Sequence, residues 1–335
     1  MRDVSAVAGV SVSTISHVIN HTRPVPEPTR KRVLAAIATT GYTPNTLARS
    51  LKRSETRTIG LAIGDIGNPY FTEVVHALEG AASAAGYTVI LTDVREDPAL
   101  EMAALAALIG RRVDGLILAP SAGGAAAVAE ARRHGVPLVQ IDRVASTGAD
   151  YVVARNGADL RRMVRHLAAL GHMRIAMLSG IDGLSTSRER IDAFLAGMRE
   201  AGLAHDPALV VCAGFHIESA RRATRALLDR RDRPSAIVAG SNLIALGAMR
   251  GLSEREVRVP EEIALVSFDD FEWADLFQPR LTTIAQPCAR IGQSAMELLL
   301  SRIAEPGLPP RRVRLPTALR HRESCGCAPG AEFRL

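Results

Sequence analysis

Gly9-Val10-Ser11-Val12-Ser13-Thr14-Ile15-Ser16-His17-Val18-Ile19-Asn20 is the stretch on which the reading of this chain turns. Gly9 ends one helix at a position suited to a left-handed backbone, which a residue without a Cβ adopts freely. Ser11 is a good N-cap for the next helix. Val12, Ile15, Val18 and Ile19 recur at helical spacing as a narrow apolar stripe, and Val10 leads into it. Ser13, Thr14, Ser16, His17 and Asn20 cover the rest with short polar groups. The preceding segment, 2–8, carries Val4 and Val7 three residues apart. Two short helices joined by so tight a turn form a helix-turn-helix, whose second helix enters the DNA major groove. A generic helical hairpin fits the same spacing.

Charge separates the two readings. Residues 1–57 hold nine bases (Arg2, Arg23, Arg30, Lys31, Arg32, Arg49, Lys52, Arg53 and Arg57) and three acids (Asp3, Glu27 and Glu55). The whole formal net charge of +6 therefore sits on this end, and the remainder is neutral. A basic face on a small domain is the footprint of a phosphate-binding surface.

The 335 residues suffice for two or three domains with real cores. No apolar run is long enough to span a bilayer, and the N-terminus lacks the apolar region of a signal peptide, so a cytoplasmic protein is expected. Lys31 and Lys52 are the only lysines. Neither follows a Gly-rich loop, which excludes a Walker A lysine, and none is left for Schiff-base chemistry in the larger domain. Four cysteines fit a reducing compartment; Cys212 and Cys288 fall inside predicted elements. Cys325-Gly326-Cys327 with His321 has metal-ligating chemistry, but the spacing is not one of the usual zinc spacings. It reads as a loose C-terminal tail, and neither metal nor cofactor is expected.

A third helix fits 29–40, with Val33, Leu34, Ile37 and Ala38 inward and Gly41 as its stop. Pro24, Pro26 and Pro28 stiffen the loop before it. After Pro44 a short helix fits about 45–51, too short to be stable alone in water. From Thr58 the pattern alternates. Short apolar strands at 59–63, 88–92, 115–119 and 137–142 are separated by helical patterns at 69–85, 98–109 and 125–134. A second run has strands at 174–179, 209–213, 236–240 and 264–268 and helices at 158–170, 187–201, 217–228 and 243–252. The fold class is thus an all-α head plus an α/β core of two doubly wound parallel-sheet lobes, with ligands expected in the cleft at the carboxyl ends of the strands.

Many separate motifs now fall in one order: Asp3-Val4-Ser5-Ala6-Val7-Ala8-Gly9-Val10-Ser11, Thr14-Ile15-Ser16-His17-Val18-Ile19-Asn20, Gly41-Tyr42-Thr43-Pro44-Asn45, Ala48-Arg49-Ser50-Leu51, Asn68-Pro69-Tyr70-Phe71, Arg112-Val113-Asp114-Gly115-Leu116-Ile117, Leu170-Gly171-His172, Ala245-Leu246-Gly247-Ala248 and Phe268-Asp269-Asp270. In these the chain closely resembles the LacI/GalR (lactose and purine repressor) family of bacterial transcription regulators, over nearly its whole length. The resemblance implies a core like periplasmic sugar-binding proteins, with three crossings between lobes near residues 157, 286 and 317 and a helix at 287–304 returning to the first lobe. The implied domains are a head and hinge helix at 1–57, an N-terminal lobe at 58–157 plus 287–317, and a C-terminal lobe at 158–286 plus 318–335.

The resemblance also implies roles. Val12, Ser13 and His17 would read bases: Val12 on a thymine methyl, Ser13 and His17 by hydrogen bonds. A core position for Val12 stays open. Thr14, Ser16, Asn20 and Arg49 would hold the DNA backbone. Leu51, with Lys52 beside it, resembles the family's minor-groove wedge, best tolerated at a pyrimidine–purine step such as CG at the centre of a pseudo-palindromic operator. Phe71, Asp142, Arg190, Phe215, Ser241 and Asp269, with Trp273 as an added wall, would bind a small sugar-like effector: carboxylates and guanidinium on hydroxyls, aromatic faces on the ring. Where the family commonly has Asn-Asp before its Ala-Leu-Gly helix, this chain has Ser241-Asn242, and Arg155 stands beside Asn156 at another acidic position. Both changes remove negative charge, so an effector more anionic than a hexose is expected. Met1 falls where the family is already inside its first helix, which suggests a start placed late. A homodimer acting by population shift is implied, and the heptad-rich tail that makes the lactose repressor a tetramer has no counterpart after Arg322. The rivals are an enzyme or an exported solute-binding protein on the same α/β fold. No Gly-x-Gly-x-x-Gly follows the first strand and no Ser-His-Asp or metal constellation stands out, so no catalytic residue is assigned.

Overall fold

A computed structural model describes residues 1–20, 22–42 and 55–327. The chain divides into two compact units, Met1–Thr56 and Arg57–Leu335.

The first unit holds α1 (Arg2–Ala8), α2 (Val12–Asn20) and α3 (Glu27–Thr40). Gly9 and Gly41 both end helices in the left-handed conformation, at φ 61°. Val4 and Ala8 of α1, Ile15 and Val18 of α2, and Val33 and Ala36 of α3 form the core. Val12, 41% exposed, lies outside that core, as do Leu34 and Ala38, which the helical pattern had placed inward. Two helices of seven and nine residues cover only a narrow strip of α3. The hinge helix expected at 45–51 lies outside the described residues.

The second unit holds two six-stranded sheets. In chain order its elements are β1 (Thr58–Ile63), α4 (Pro69–Ala84), β2 (Thr88–Asp93), α5 (Pro98–Gly110), β3 (Gly115–Leu118), α6 (Ala125–Arg133), β4 (Leu138–Ile141), β5 (Asp150–Ala154), α7 (Ala158–Ala169), β6 (Ile175–Ser179), α8 (Ser185–Glu200), β7 (Val210–Cys212), α9 (Ile217–Leu228), β8 (Ala236–Ala239), α10 (Asn242–Ser253), β9 (Ala264–Phe268), β10 (Thr282–Ala285), α11 (Cys288–Ala304), β11 (Arg312–Leu315) and β12 (Ala318–Arg320). The sheet orders are β11-β5-β4-β3-β1-β2 and β12-β10-β9-β8-β6-β7. All pairings are parallel except β10 with β12. The sequence pattern had missed β5, β10, β11 and β12.

Strand periodicity sends alternate residues to opposite faces, and both faces are covered. In β1, Ile59, Leu61 and Ile63 join Val74 and Leu78 of α4 and Ile291 and Leu299 of α11. Leu116 and Leu118 of β3 pack on the other face with Leu105 and Leu108 of α5. The second sheet repeats this, with Met177 and Val266 toward α7 and α8 and Leu178 and Leu265 toward α9 and α10. Both sheets bring the carboxyl ends of their parallel strands to one cleft.

The tail as far as residue 327 is not loose. Ser324 is buried: its Oγ accepts from Thr282 N at 2.8 Å and donates to Leu265 O at 2.6 Å. Its backbone bonds to Arg280 O and Leu265 N. Satisfying those buried backbone groups at the starts of β9 and β10 fixes the segment.

Candidate functional site

In the first unit, Ser11 caps α2, its Oγ accepting from Thr14 N at 3.2 Å. Val12 and Ser13 are exposed at the start of α2, and Thr14, Ser16 and His17 are half-buried one turn on. His17 Nδ1 lies 2.7 Å from Thr22 Oγ1, which sets the ring's rotation. Val12 and Ser13 open α2, and His17 lies in its last turn, four residues after Ser13. The Asn20 side chain and Arg49, Leu51 and Lys52 lie outside the described residues.

In the second unit a cavity of about 350 Å³ opens between the two sheets' carboxyl ends. It brings together Phe71, Asp142, Arg190, Phe215, Ser241 and Asp269. Trp273 is not among its walls; it is 45% exposed and stands edge-on to Phe271.

Asp142 and Asp269 follow β4 and β9, equivalent strands of the two sheets, and both take left-handed backbone angles, φ 63° and 68°. That conformation turns each carboxylate off the strand end into the cleft, and Asp tolerates it better than most residues. Gly64 after β1 and Gly180 after β6 are a second matched pair. A Cβ at Gly64 would collide with the Glu96 carboxylate, and one at Gly180 with the Phe215 ring. Glycine at these strand ends lets both side chains reach the cavity.

Arg190, from the second turn of α8, donates to Asn156 Oδ1 at 3.1 Å and to Gly240 O at 2.7 Å. Its guanidinium lies 3.7 Å over the Phe268 ring and 3.9 Å from Asp269 Oδ1. Burial pushes the Asp269 carboxyl up, more than Arg190 and the Gln286 amide, at 2.7 Å, lower it. Arg143 is a site residue the sequence reading missed. It donates to both oxygens of Glu96, at 2.5 and 2.7 Å, and to Asp142 Oδ2 at 2.9 Å. Burial alone would lower its pKa, but those two carboxylates hold it above its ordinary value. Tyr70, Asn68, Thr186 and Gln286 were also missed. Asn68 and Tyr70 sit in a quoted motif from which only Phe71 was taken. Glu96 had no local signal, because its partner is 47 residues away in sequence.

Tyr70 Oη and Thr186 Oγ1 are buried in this wall with no hydrogen-bond partner among the described residues. Burial raises the Tyr70 pKa well above its ordinary value, so the phenol stays protonated. The cavity therefore offers carboxylates, neutral hydroxyls and aromatic faces to a polar ligand. Its charge runs against the expectation of an anionic effector. Asp65, Asp93, Glu96, Asp142 and Asp269 face Arg95, Arg143 and Arg190, and Arg143 is already held by two carboxylates. Arg155 is exposed and is not among the walls.

Residues 1–45 match the lacI family of bacterial regulatory proteins, and residues 164–325 match a periplasmic binding protein-like domain. The ribose operon repressor of Escherichia coli is 35% identical over 328 residues, spanning 97% of this chain and 99% of that one. This chain belongs to the lacI family of bacterial regulatory proteins. A second relative, the HTH-type transcriptional repressor PurR of Photobacterium profundum, is 36% identical over 307 residues, 91% of this chain and 92% of its own. Among solved structures, the Lac repressor dimer bound to operator and the anti-inducer ONPF matches with a TM-score of 0.85 and 29% identity, covering 96% of this chain and 98% of that one. As a lacI-family protein the chain is a DNA-binding transcriptional regulator, with a helix-turn-helix head and an effector-binding core. Both of these relatives are repressors. None of the described helices is long and apolar enough to cross a membrane.

Proposed function

We propose that this lacI-family regulator is a cytoplasmic repressor with no enzymatic activity. Two copies hold a pseudo-palindromic operator, and a small neutral polyhydroxylated molecule, of the sugar class, binds between the lobes of each. The observation that carries the effector class is the matched pair Asp142 and Asp269, aimed from equivalent strand ends into one cavity with Arg190, Phe71 and Phe215 around them. Carboxylates accept from vicinal hydroxyls, and aromatic faces cover the less polar side of a sugar ring. Ser241 contributes through the N-terminus of α10, where its Oγ accepts from Ile244 N at 3.3 Å. In the head, Val12, Ser13 and His17 read bases, and Thr14, Ser16, Asn20 and Arg49 position the backbone. Leu51, flanked by Lys52, wedges into the minor groove at a central CG step. The domains assigned from the sequence, a head with its hinge and two lobes exchanging strands at three crossings, carry these tasks.

The test is fluorescence-anisotropy titration of labelled operator, found by selection from random duplex, against pentoses, hexoses, sugar phosphates and purines. A shift of operator affinity by a neutral sugar, lost in Asp142→Asn or Asp269→Asn, is the expected result. A response to purines or sugar phosphates alone would overturn the effector class. Leu51→Ala is expected to weaken operator binding while leaving sugar binding intact; unchanged operator affinity at matched salt would remove the wedge.

A further inference from the structure

Away from the cavity, four metal-ligating side chains converge between α7 and the turn that follows β12. His166 comes from the last turns of α7, His321 from the residue after β12, and Cys325 and Cys327 from the turn itself. Their ligand atoms all lie within 4.8 Å of one another. His166 Nε2 is 3.5 Å from Cys325 Sγ and 3.4 Å from Cys327 Sγ, and His321 Nε2 is 3.4 Å from Cys325 Sγ. The two imidazoles meet edge to face with centroids 5.2 Å apart.

From these positions we infer that His166, His321, Cys325 and Cys327 form a tetrahedral Cys2His2 site for zinc or a zinc-like divalent ion. Bond lengths of about 2.3 Å to sulfur and about 2.0 Å to nitrogen place nitrogen and sulfur ligands about 3.5 Å apart around a tetrahedron. The three measured separations match that edge. His166 Nε2 faces two sulfurs, and Cys325 Sγ faces two ring nitrogens and the Arg322 carbonyl. Soft thiolate and imidazole donors select zinc over magnesium or calcium. Four protein ligands close the coordination sphere, which makes the site structural rather than catalytic.

The turn is built to hold this geometry. Gly326 takes φ 93°, and its N–H donates to Glu323 O at 2.9 Å, so the chain turns through Ser324 and Cys325 before it reaches Cys327. Buried Ser324 anchors the turn to β9 and β10. Arg322 reaches Asp270 and Asp275, and Arg280 pairs with Glu323. His166 and Cys325 are fully buried, while His321 and Cys327 are half-buried and give the ion a way in. Loading sends the two thiol protons to solvent. The ion then ties the strand after the third crossing to the helix after the first, closing a loop of 159 residues. The spacing His321-x-x-x-Cys325-x-Cys327 hides this in sequence, because the fourth ligand comes from a distant helix.

The full-length protein, reduced and stripped of metal with a chelator, is titrated with cobalt and then with zinc. The expected result is one ion per chain, a tetrahedral cobalt absorption spectrum with thiolate charge-transfer bands, displacement by zinc, and a higher melting temperature on loading. Because Cys325 is fully buried, the variants are Cys327→Ser and His321→Asn. Both are expected to lose the tetrahedral spectrum and the thermal shift while still binding operator. An octahedral cobalt spectrum, no uptake, or uptake unchanged in both variants would overturn the site.

Discussion

The Asp269 carboxyl is buried in the cavity wall, and burial raises its pKa despite Arg190 beside it. The folded protein therefore binds this proton more tightly than the unfolded chain does. Linkage then makes stability fall as pH rises from the ordinary carboxyl range to the raised value, and level off above it. Asp269→Asn is expected to flatten that fall. Glu101, also raised by burial, acts in the same direction in both proteins, so the difference between their pH profiles of melting temperature isolates Asp269. Parallel profiles would show that the carboxyl is not desolvated. Arg190→Met keeps the aliphatic stem but removes the donors to Gly240 O and Asn156 Oδ1. A loss of about 3 kcal/mol is expected from breaking a buried charged cluster, measurable by urea denaturation, together with loss of the effector response. Ser11 was legible in sequence because the role of a cap is set locally, whereas Asp142 and Asp269 entered through the family resemblance. Arg143 and Glu96 were not legible, because neither means anything until β2 and β4 bring their loops together. Trp273 was misplaced for the converse reason: rarity in a sequence does not fix which way a ring faces.

Helices α4 and α11 show what an element contributes. They come from chain segments about two hundred residues apart, and they cross at Gly292, where a Cβ would stand 2.5 Å from Val74 O and 2.8 Å from Leu78 N. Both are backbone atoms and cannot rotate away. Gly292→Ala is therefore expected to destabilise the core by about 1–3 kcal/mol, the range for overpacking, although alanine raises helix propensity. A urea midpoint equal to or above that of the wild type would show that the two helices are not in such close contact. The first was legible because it repeats an apolar stripe over several turns, whereas the second entered through the family resemblance. The missed strands are short and lack that statistical weight. β5, Asp150-Tyr151-Val152-Val153-Ala154, follows β4 with no helix between them, which breaks the alternation that flagged the other strands. β11, Arg312-Val313-Arg314-Leu315, is an edge strand whose charged residues face out, one of them, Arg314, over the Tyr151 ring. Only the sheet, assembled from distant segments, gives these runs a face to bury.

Across the whole core, regulation depends on how firmly one lobe holds the other. The cleft is bridged by Asn242 Nδ2, which donates to Asn68 Oδ1 at 2.9 Å, and by Val144 N, which donates to Ser185 Oγ at 2.9 Å. Both asparagines are buried, and Asn68 Oδ1 also caps α4 by accepting from Tyr70 N. Asn242→Ala therefore removes the bridge but leaves the cap in place. The bond lost between the lobes is one neutral hydrogen bond, about 0.5–1.5 kcal/mol; the Asn242 Oδ1 acceptor for Leu243 N, also lost, lies within one lobe. A ligand that selects the closed form must supply that amount itself. The effector's half-maximal concentration for changing operator affinity is then expected to rise roughly 2- to 10-fold, while the head, with the chain's entire net charge of +6, still binds DNA with its full salt dependence. Operator anisotropy titrated with effector at two salt concentrations reads both quantities. A half-maximal concentration equal to the wild type's would mean that the Asn68–Asn242 bond does not distinguish the lobes' two arrangements. A reduced salt slope would mean that the substitution had disturbed the head rather than the clasp.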